Sequence, residues 1–211
     1  MSNVHGLPPE DWEALGVSRE SWPRLEKFVD LLAAWQVHIN LIAPSTQPDV
    51  WQRHVRDSLQ LVPLIPKTFS SFADLGSGAG FPALPLAIVT GTTAHLYESV
   101  GKKAAFLREA LRITETKGTV STMRIETLDN ASTPHVDVVT ARALAPLTEL
   151  LSLAEPFLRN GAVGYFHKGQ DVDGELTAAA KSWRIKARKH VSLTDSRAVI
   201  LQVEEAFREH R

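Results

Sequence analysis

An acid and three glycines at fixed spacing are the residues of this chain best suited to holding a nucleotide-containing cofactor. A short apolar run ends at Asp74. Three glycines follow at alternate positions: Gly76, Gly78 and Gly80. A strand that ends in such a turn and continues into a helix brings backbone N–H groups close to a ligand. Glu98 ends the next apolar run, where an acid can accept hydrogen bonds from both ribose hydroxyls.

Two cofactor classes fit this turn, and the residues around it distinguish them. The dinucleotide fingerprint is G-x-G-x-x-G, whereas this chain has G-x-G-x-G with Asp74 before the first glycine. A carboxylate at that place would repel a pyrophosphate but would attract the ammonium group of S-adenosylmethionine. The spacing therefore favours S-adenosylmethionine over a dinucleotide, while a purely structural turn followed by a surface Glu98 stays open.

Composition bounds the class of protein. The chain has 211 residues, of which 44% are hydrophobic and 22% charged, as expected for one globular α/β unit with an extension. It has no cysteine, which excludes disulfides, thiolate metal sites and a thiol nucleophile such as pyrimidine C5 methylation requires. We expect no metal. The first residues lack the features of a secretory signal and no apolar run is long enough to span a membrane, so we expect a cytoplasmic protein.

Basic residues are clustered although the net charge is only −1. Local clusters can attract a polyanion even when the total charge is near zero, although each can also be an ordinary solvated face. The clusters lie within residues 53–56, 102–112 and 181–190.

The first third of the chain predicts helices. Apolar residues recur at three- and four-residue steps over 19–40, which indicates an amphipathic helix, and a shorter helix is expected over 49–62, before Pro63. We expect residues 1–66 to form a helical extension packed on a methyltransferase-like domain of residues 67–211, as one compact unit.

The remainder alternates between strands and helices, which predicts an α/β fold with a mostly parallel sheet. Two β-rich runs at 183–191 and 198–203 predict a C-terminal antiparallel hairpin, which is more typical of methyltransferases than of dinucleotide-binding folds. Strands are expected near 70–75, 93–98, 118–124, 136–141 and 162–167, and helices near 81–89, 101–113, 146–158 and 173–182.

Seven short motifs, in order along nearly the whole chain, resemble those of the ribosomal small-subunit methyltransferase G family, also called the glucose-inhibited division protein B family. They include Arg53-His54-x-x-Asp57-Ser58, the glycine turn followed by Phe81-Pro82, and Lys168-Gly169. The others are Asn40-Leu41, Glu98-Ser99-x-x-Lys102-Lys103-x-x-Phe106-Leu107, Arg124-Ile125-Glu126 and Thr140-Ala141-Arg142-Ala143. Ile42 and Ala83 depart from residues that the family often has, without touching the donor-binding motifs.

The resemblance implies a class I, Rossmann-like methyltransferase that methylates guanine N7 in 16S ribosomal RNA with S-adenosylmethionine. It implies donor contacts at Gly76, Phe81, Ile125, Glu126 and Arg142. Together with the residues identified above, the expected donor-binding set is Asp74, Gly76, Gly78, Gly80, Phe81, Glu98, Ile125, Glu126 and Arg142. Arg142 could instead contact RNA phosphate or form a structural ion pair.

We expect no acid–base catalyst, because guanine N7 is a lone pair without a proton to remove, so alignment and exclusion of water suffice. Contacts to RNA phosphates are expected from Arg53, His54, Lys102 and Lys168, although His54 could be a buried, hydrogen-bonded histidine. The expected substrate is the small ribosomal subunit or an assembly intermediate, and the expected state a monomer. Two rivals remain: a nicotinamide-dependent oxidoreductase, and an assembly factor that has lost donor binding.

Overall fold

A seven-stranded mixed sheet forms the centre of the protein in the part of the chain that the structure, a computed structural model, describes: residues 5, 8–128 and 133–209. The strand order is β3-β2-β1-β4-β5-β7-β6; the first five are parallel and β7 is antiparallel to β5 and to β6. The predicted mostly parallel α/β sheet with an antiparallel C-terminal hairpin is confirmed. The strands are β1 Ser71–Leu75, β2 Thr93–Tyr97, β3 Gly118–Ser121, β4 Val138–Arg142, β5 Val163–Lys168, β6 Trp183–Val191 and β7 Val199–Arg208.

Helices connect the parallel strands at bounds close to those predicted. The helices that follow β1, β2, β4 and β5 are α4 Ala83–Thr90, α5 Gly101–Ile113, α6 Leu147–Arg159 and α7 Val172–Ala179. A single 3₁₀ turn, Ile125–Thr127, follows β3 among the described residues. The crossovers place the carboxyl ends of all five parallel strands at one edge of the sheet, where ligands bind in open α/β folds.

The N-terminal helices are shorter than predicted. They are α1 Pro9–Ala14, α2 Trp22–Gln36, a π-helical turn Trp51–Arg56 and α3 Asp57–Leu59. The helix expected over 19–40 ends early because the Gln36 side chain accepts hydrogen bonds from the N–H groups of Leu41 and Ile42 and donates to the carbonyl of Ile42. These bonds turn the chain, so that the helix cannot continue.

Apolar packing joins the N-terminal helices to the sheet. Phe28 of α2 is fully buried and lies against Phe81 and Phe106, with ring centroids 5.2 and 6.3 Å away. The Tyr165 hydroxyl on β5 donates to the carbonyl of Leu64 at 3.0 Å. A second apolar cluster covers the opposite region, between α6, α7 and the hairpin. In the described part of the chain, no helix is long and apolar enough to cross a membrane.

Candidate active site

A cleft of about 350 Å³ opens at the carboxyl ends of β1, β2 and β3. This glycine cleft is lined by five of the nine predicted donor-binding residues: Gly76, Gly78, Glu98, Ile125 and Glu126. The other four lie outside its lining: Asp74, Gly80, Phe81 and Arg142. The structure thus gathers the turn, Glu98 and the segment after β3 in one place.

The first glycine of the turn after β1 has a positive φ and packs closely against Leu144. Gly76 has φ +68°, and a Cβ atom there would lie 2.6 Å from Cδ1 of Leu144. Gly78 has φ +53°, but a Cβ atom there would meet nothing closer than the Gly76 carbonyl oxygen at 3.7 Å. Gly76 therefore serves close packing, whereas Gly78 leaves an open backbone surface beside the cleft.

Glu98 is fixed at the end of β2 by backbone donors. Its side chain accepts hydrogen bonds from the N–H of Gly78 at 2.9 Å and from the N–H of Val100 at 2.7 Å, one at each oxygen. Each carboxylate oxygen has further lone-pair capacity. A residue held in this way, 6% exposed at the cleft wall, is oriented to accept from a ribose diol.

Asp74, near the end of β1, carries a buried carboxylate oxygen without a hydrogen-bond partner in the described part of the chain. Its Oδ1 accepts a hydrogen bond from the Thr140 hydroxyl at 2.7 Å, whereas its buried Oδ2 has no hydrogen-bond partner among the described residues. Burial raises the pKa of Asp74 to about 6, and the hydrogen bond from Thr140 opposes that shift. An unpaired buried carboxylate oxygen is costly, and a cationic ligand group would satisfy it. The site therefore fits a cofactor with an ammonium end.

Part of the lining of the glycine cleft is apolar. Ile125 begins the 3₁₀ turn after β3 and is 9% exposed, and Met123, Leu144 and Leu153 line the same cleft. Such a wall suits the faces of an aromatic base, while Glu126 beside it supplies a polar edge.

Arg142, at the end of β4, lies in a cluster of contacts rather than in the glycine cleft. Its Nη1 donates to Oδ2 of Asp57 at 3.2 Å, its Nη2 donates to Nδ1 of His54 at 2.9 Å, and its guanidinium lies 5.3 Å from the Phe81 ring centroid. Burial lowers the pKa of Arg142, and Asp57 opposes that shift. The ion pair that the sequence left open is present, and the predicted contact of Arg142 with donor or RNA stays a prediction.

His54 is neutral in this arrangement. A guanidinium can only donate, so Nδ1 of His54 accepts from Arg142 and Nε2 carries the proton, which it donates to the Thr46 hydroxyl at 2.8 Å. Burial, followed by the charge of Arg142, lowers the pKa of His54 to about 4. The imidazole also stacks on Phe81 at 5.0 Å. His54 has the bonds of a structural histidine, and its predicted RNA contact would be that of a neutral group.

Asp57 connects three separate elements, and sequence reasoning gave it no role. Its Oδ1 accepts from the Thr194 hydroxyl at 2.6 Å and from Nε2 of Gln60 at 2.8 Å, while its backbone carbonyl accepts from Nε2 of His167 at 2.9 Å. The sequence feature that could have indicated a role for Asp57 is its place in the Arg-His-x-x-Asp motif. The fold makes it the anchor of the region around Arg142.

Lys168, predicted to contact RNA, is bound internally. Its ammonium forms an ion pair with Glu175 at 2.5 Å and donates to the carbonyl of Ala145 at 3.0 Å, and its side chain is 7% exposed. Glu175 was not identified from sequence; it comes from α7 and also accepts from the N–H of Leu147 at 2.6 Å. The two residues line a pocket of about 330 Å³, the Glu175 pocket, beside the glycine cleft.

The exposed cations differ in whether they form ion pairs. Arg53 and Lys102 are exposed, Arg53 at a pocket formed with Arg142 and Lys102 in the first turn of α5. In the cluster at 181–190, three members form ion pairs: Lys186 and Arg188 with Glu204, and Lys189 with Asp173. That face is partly neutralised and is less basic than the sequence predicts.

No group of three or more His, Asp or Glu able to hold a metal occurs within the described ranges.

Comparison with known proteins agrees with this geometry. A family model described as rRNA small subunit methyltransferase G matches residues 21–203. The ribosomal RNA small subunit methyltransferase G of Paramagnetospirillum magneticum is 49% identical over 201 residues, which cover 95% of this chain and 97% of that protein. That of Bradyrhizobium diazoefficiens is 52% identical over 182 residues, covering 84% and 70%.

Solved structures show the same fold. An O-methyltransferase from Bacillus cereus, determined in complex with SAH, superimposes with a TM-score of 0.58 at 15% identity and covers 87% of this chain and 91% of that one. The strand order and the antiparallel hairpin are thus those of a methyltransferase fold.

Proposed function

The chain belongs to the rRNA small subunit methyltransferase G family, and on that premise we propose that it methylates N7 of one guanosine in 16S ribosomal RNA. The methyl donor is S-adenosylmethionine, which supplies an electrophilic methyl group on a sulfonium. The observation that carries the proposal is the pair of acids on either side of the glycine turn. Asp74 has a free buried oxygen, and Glu98 is oriented by the Gly78 and Val100 N–H groups.

The residues present fit the donor part by part. Asp74 would satisfy the ammonium, directly or through a water, and Glu98 would accept from the ribose hydroxyls. Ile125 and Glu126 would hold the adenine, and the open backbone at Gly78 admits the ligand. A pyrophosphate would place its negative charge against Asp74 and Glu98, which argues against a nicotinamide dinucleotide.

The protein needs no general base for methylation at N7. That nitrogen has a lone pair and no proton, so the residues must align the base, exclude water and tolerate a cationic product. His54 could not accept a proton easily, because its Nδ1 lone pair is already used by Arg142 and its pKa lies at about 4. The catalytic contribution is positioning.

RNA contacts are proposed for the exposed cations near the cleft, Arg53 and Lys102, and for His54 and Lys168 at the edges of the adjoining pockets. The target base must leave its stack to reach such a pocket. We propose that the chain acts as a monomer, in the cytoplasm, on the small subunit or an assembly intermediate rather than on free nucleosides.

Two measurements test this function. Calorimetry with S-adenosylhomocysteine and with NADH distinguishes the two cofactor classes: heat with the first and none with the second is expected. Primer extension on 16S ribosomal RNA after N7-directed chain cleavage should give one stop in strains with the gene and none without it. A stop that persists without the gene would refute the assignment, and the absence of both donor binding and a stop would favour the assembly factor.

A further inference from the structure

The Glu175 pocket lies directly beside the glycine cleft. Leu144 and Ala145, which follow β4, line both spaces, and the pocket is completed by His167 and Lys168 at the end of β5. Its volume of about 330 Å³ lies within the range of small-ligand pockets. A base held there would therefore lie next to a donor held in the glycine cleft.

The neighbouring pocket around Arg142, of about 310 Å³, is less suited to a base. It shares no lining residue with the glycine cleft in the described part of the chain. Its polar groups are bonded to one another: Arg142 to Asp57 and His54, and Thr194 to Asp57. Its exposed cation, Arg53, suits a phosphate rather than a base edge.

Glu175 presents one free acceptor to its pocket. Its Oε2 forms the ion pair with the Lys168 ammonium and accepts from the N–H of Leu147, whereas its Oε1 has no hydrogen-bond partner among the described residues. The Lys168 charge is paired with Glu175, so it does not act as an unpaired cation beside the base. Lys168 and the Leu147 N–H thus orient the carboxylate through Oε2, and Oε1 is available to accept hydrogen bonds from a ligand.

We propose that the Glu175 pocket receives the target guanine and that Oε1 of Glu175, through its two lone pairs, accepts hydrogen bonds from N1–H and the exocyclic 2-amino group. This inference rests on the proposed N7 methylation. Guanine presents two donors on that edge, whereas adenine presents an acceptor at N1, which a carboxylate repels. Methylation makes the purine cationic without loss of a proton, so the attraction to Glu175 is stronger at the transition state than before it.

The substitution Glu175→Gln replaces this acceptor with a donor. In Glu175→Gln, the amide oxygen must face the Leu147 N–H and Lys168, because both are donors. The amide nitrogen then occupies the position of Oε1. Its N–H groups face N1–H and the 2-amino group of guanine, so donors meet donors and no hydrogen bond forms. The matched control is Asp173→Asn, on the same helix, whose exposed carboxylate pairs with Lys189 outside the pocket.

The measurement is kcat/KM on small-subunit particles reconstituted with 16S ribosomal RNA that carries either guanosine or inosine at the methylated position. Inosine keeps N7 and N1–H but lacks the 2-amino group. Wild type should prefer guanosine by roughly 10- to 100-fold, the value of one hydrogen bond to a charged acceptor. Glu175→Gln should lose activity on guanosine and reduce the preference to nearly one, whereas Asp173→Asn should keep the wild-type preference.

Asp195 lines the pocket around Arg142 and is the acid that would take the place of Glu175 if the base bound there. Three results would overturn the proposal: equal use of the two RNAs by wild type, an unchanged preference in Glu175→Gln, or loss of the preference in Asp195→Asn. Calorimetry with S-adenosylhomocysteine checks that Glu175→Gln is folded. If it is not, Glu175→Asp keeps the charge beside Lys168 but withdraws the carboxylate, and should also reduce the preference. Wild type without any N7 product would instead refute the proposed function.

Discussion

Oδ2 of Asp57 lies 3.2 Å from Nη1 of Arg142, although the two residues are 85 positions apart in the sequence. Their side chains are only 15% and 20% exposed, respectively. The ion pair joins the N-terminal helices to the end of β4, and Thr194 links the same carboxylate to the loop between β6 and β7. Asp57 therefore fixes Arg142 at the edge of the sheet where the proposed RNA substrate would enter.

Asp57→Asn should impair turnover on RNA more than donor binding. The amide loses the charge opposite Arg142, so the guanidinium becomes partly unpaired, and we expect a loss of stability of roughly 1–3 kcal/mol. The value of kcat/KM on small-subunit particles should fall at least tenfold, while the Kd for S-adenosylhomocysteine stays within about twofold. Asp49→Asn, at an exposed site, is the control. Equal losses in donor affinity and turnover would show that Asp57 acts through the whole fold.

Gly76→Ala should weaken donor binding, and Gly91→Ala provides a matched comparison. Both glycines have positive φ, +68° and +71°, so alanine costs about 1–2 kcal/mol of stability at either site. A Cβ atom at Gly76 would in addition lie 2.6 Å from Leu144, which lines the glycine cleft, whereas nothing lies within 4 Å at Gly91. Calorimetry with S-adenosylhomocysteine should show a large loss for Gly76→Ala and none for Gly91→Ala. Similar affinities in both variants would contradict the assigned cleft.

Donor affinity should depend on pH through Asp74. Burial raises the pKa of the free protein's Asp74 to about 6, and an ammonium group binds the ionised carboxylate. Affinity is therefore nearly full at pH 8, is lost as the pH falls through 6, and approaches a tenfold loss per pH unit below that value. Asp74→Asn should bind weakly at pH 8 and show a flat profile between pH 5 and 7. His54 does not interfere in this range, because its pKa is about 4. A sloping profile in Asp74→Asn would assign the dependence to another group.

The N-terminal helices and the sheet domain should unfold together. Phe28 is fully buried against Phe81 and Phe106, so Phe28→Ala should cost roughly 3–5 kcal/mol and lower the midpoint of a single transition. Val37→Ala, at a side chain 78% exposed, should have little effect. Two separate transitions in urea, followed by far-UV circular dichroism and tryptophan fluorescence, would contradict the expectation that residues 1–66 and 67–211 form one unit.

Local patterns were sufficient for most of the sheet. The alternation of strands and helices predicted the five parallel strands, and the helix expected over 101–113 has those bounds. The last strand was predicted over 198–203, and the acids Glu204 and Glu205 follow that run. In the hairpin both acids face Lys186 on β6, so that β7 continues to Arg208. Charge pairing across strands is a tertiary effect that a single segment does not reveal.

The parts of the site that follow directly after a strand were predictable from the sequence. The parts that depend on side chains from other elements were not. The spacing of Gly76, Gly78 and Glu98 placed them in one cleft. The pairing of Lys168 with Glu175, by contrast, is set by how α7 packs after β5. Glu175 has no local signature that separates it from any acid in the first turn of a helix.

The most direct test of the account is the chemical identity of the product. The purified protein is incubated with small-subunit particles from a strain without the gene and with S-adenosylmethionine that carries a deuterated methyl group. Mass spectrometry of the RNA nucleosides should then detect labelled 7-methylguanosine. Glu98→Gln should reduce the label at least tenfold, because the ribose acceptor at the end of β2 is weakened. Label on a ribose or an exocyclic nitrogen, or unlabelled RNA with intact wild-type protein, would contradict the account.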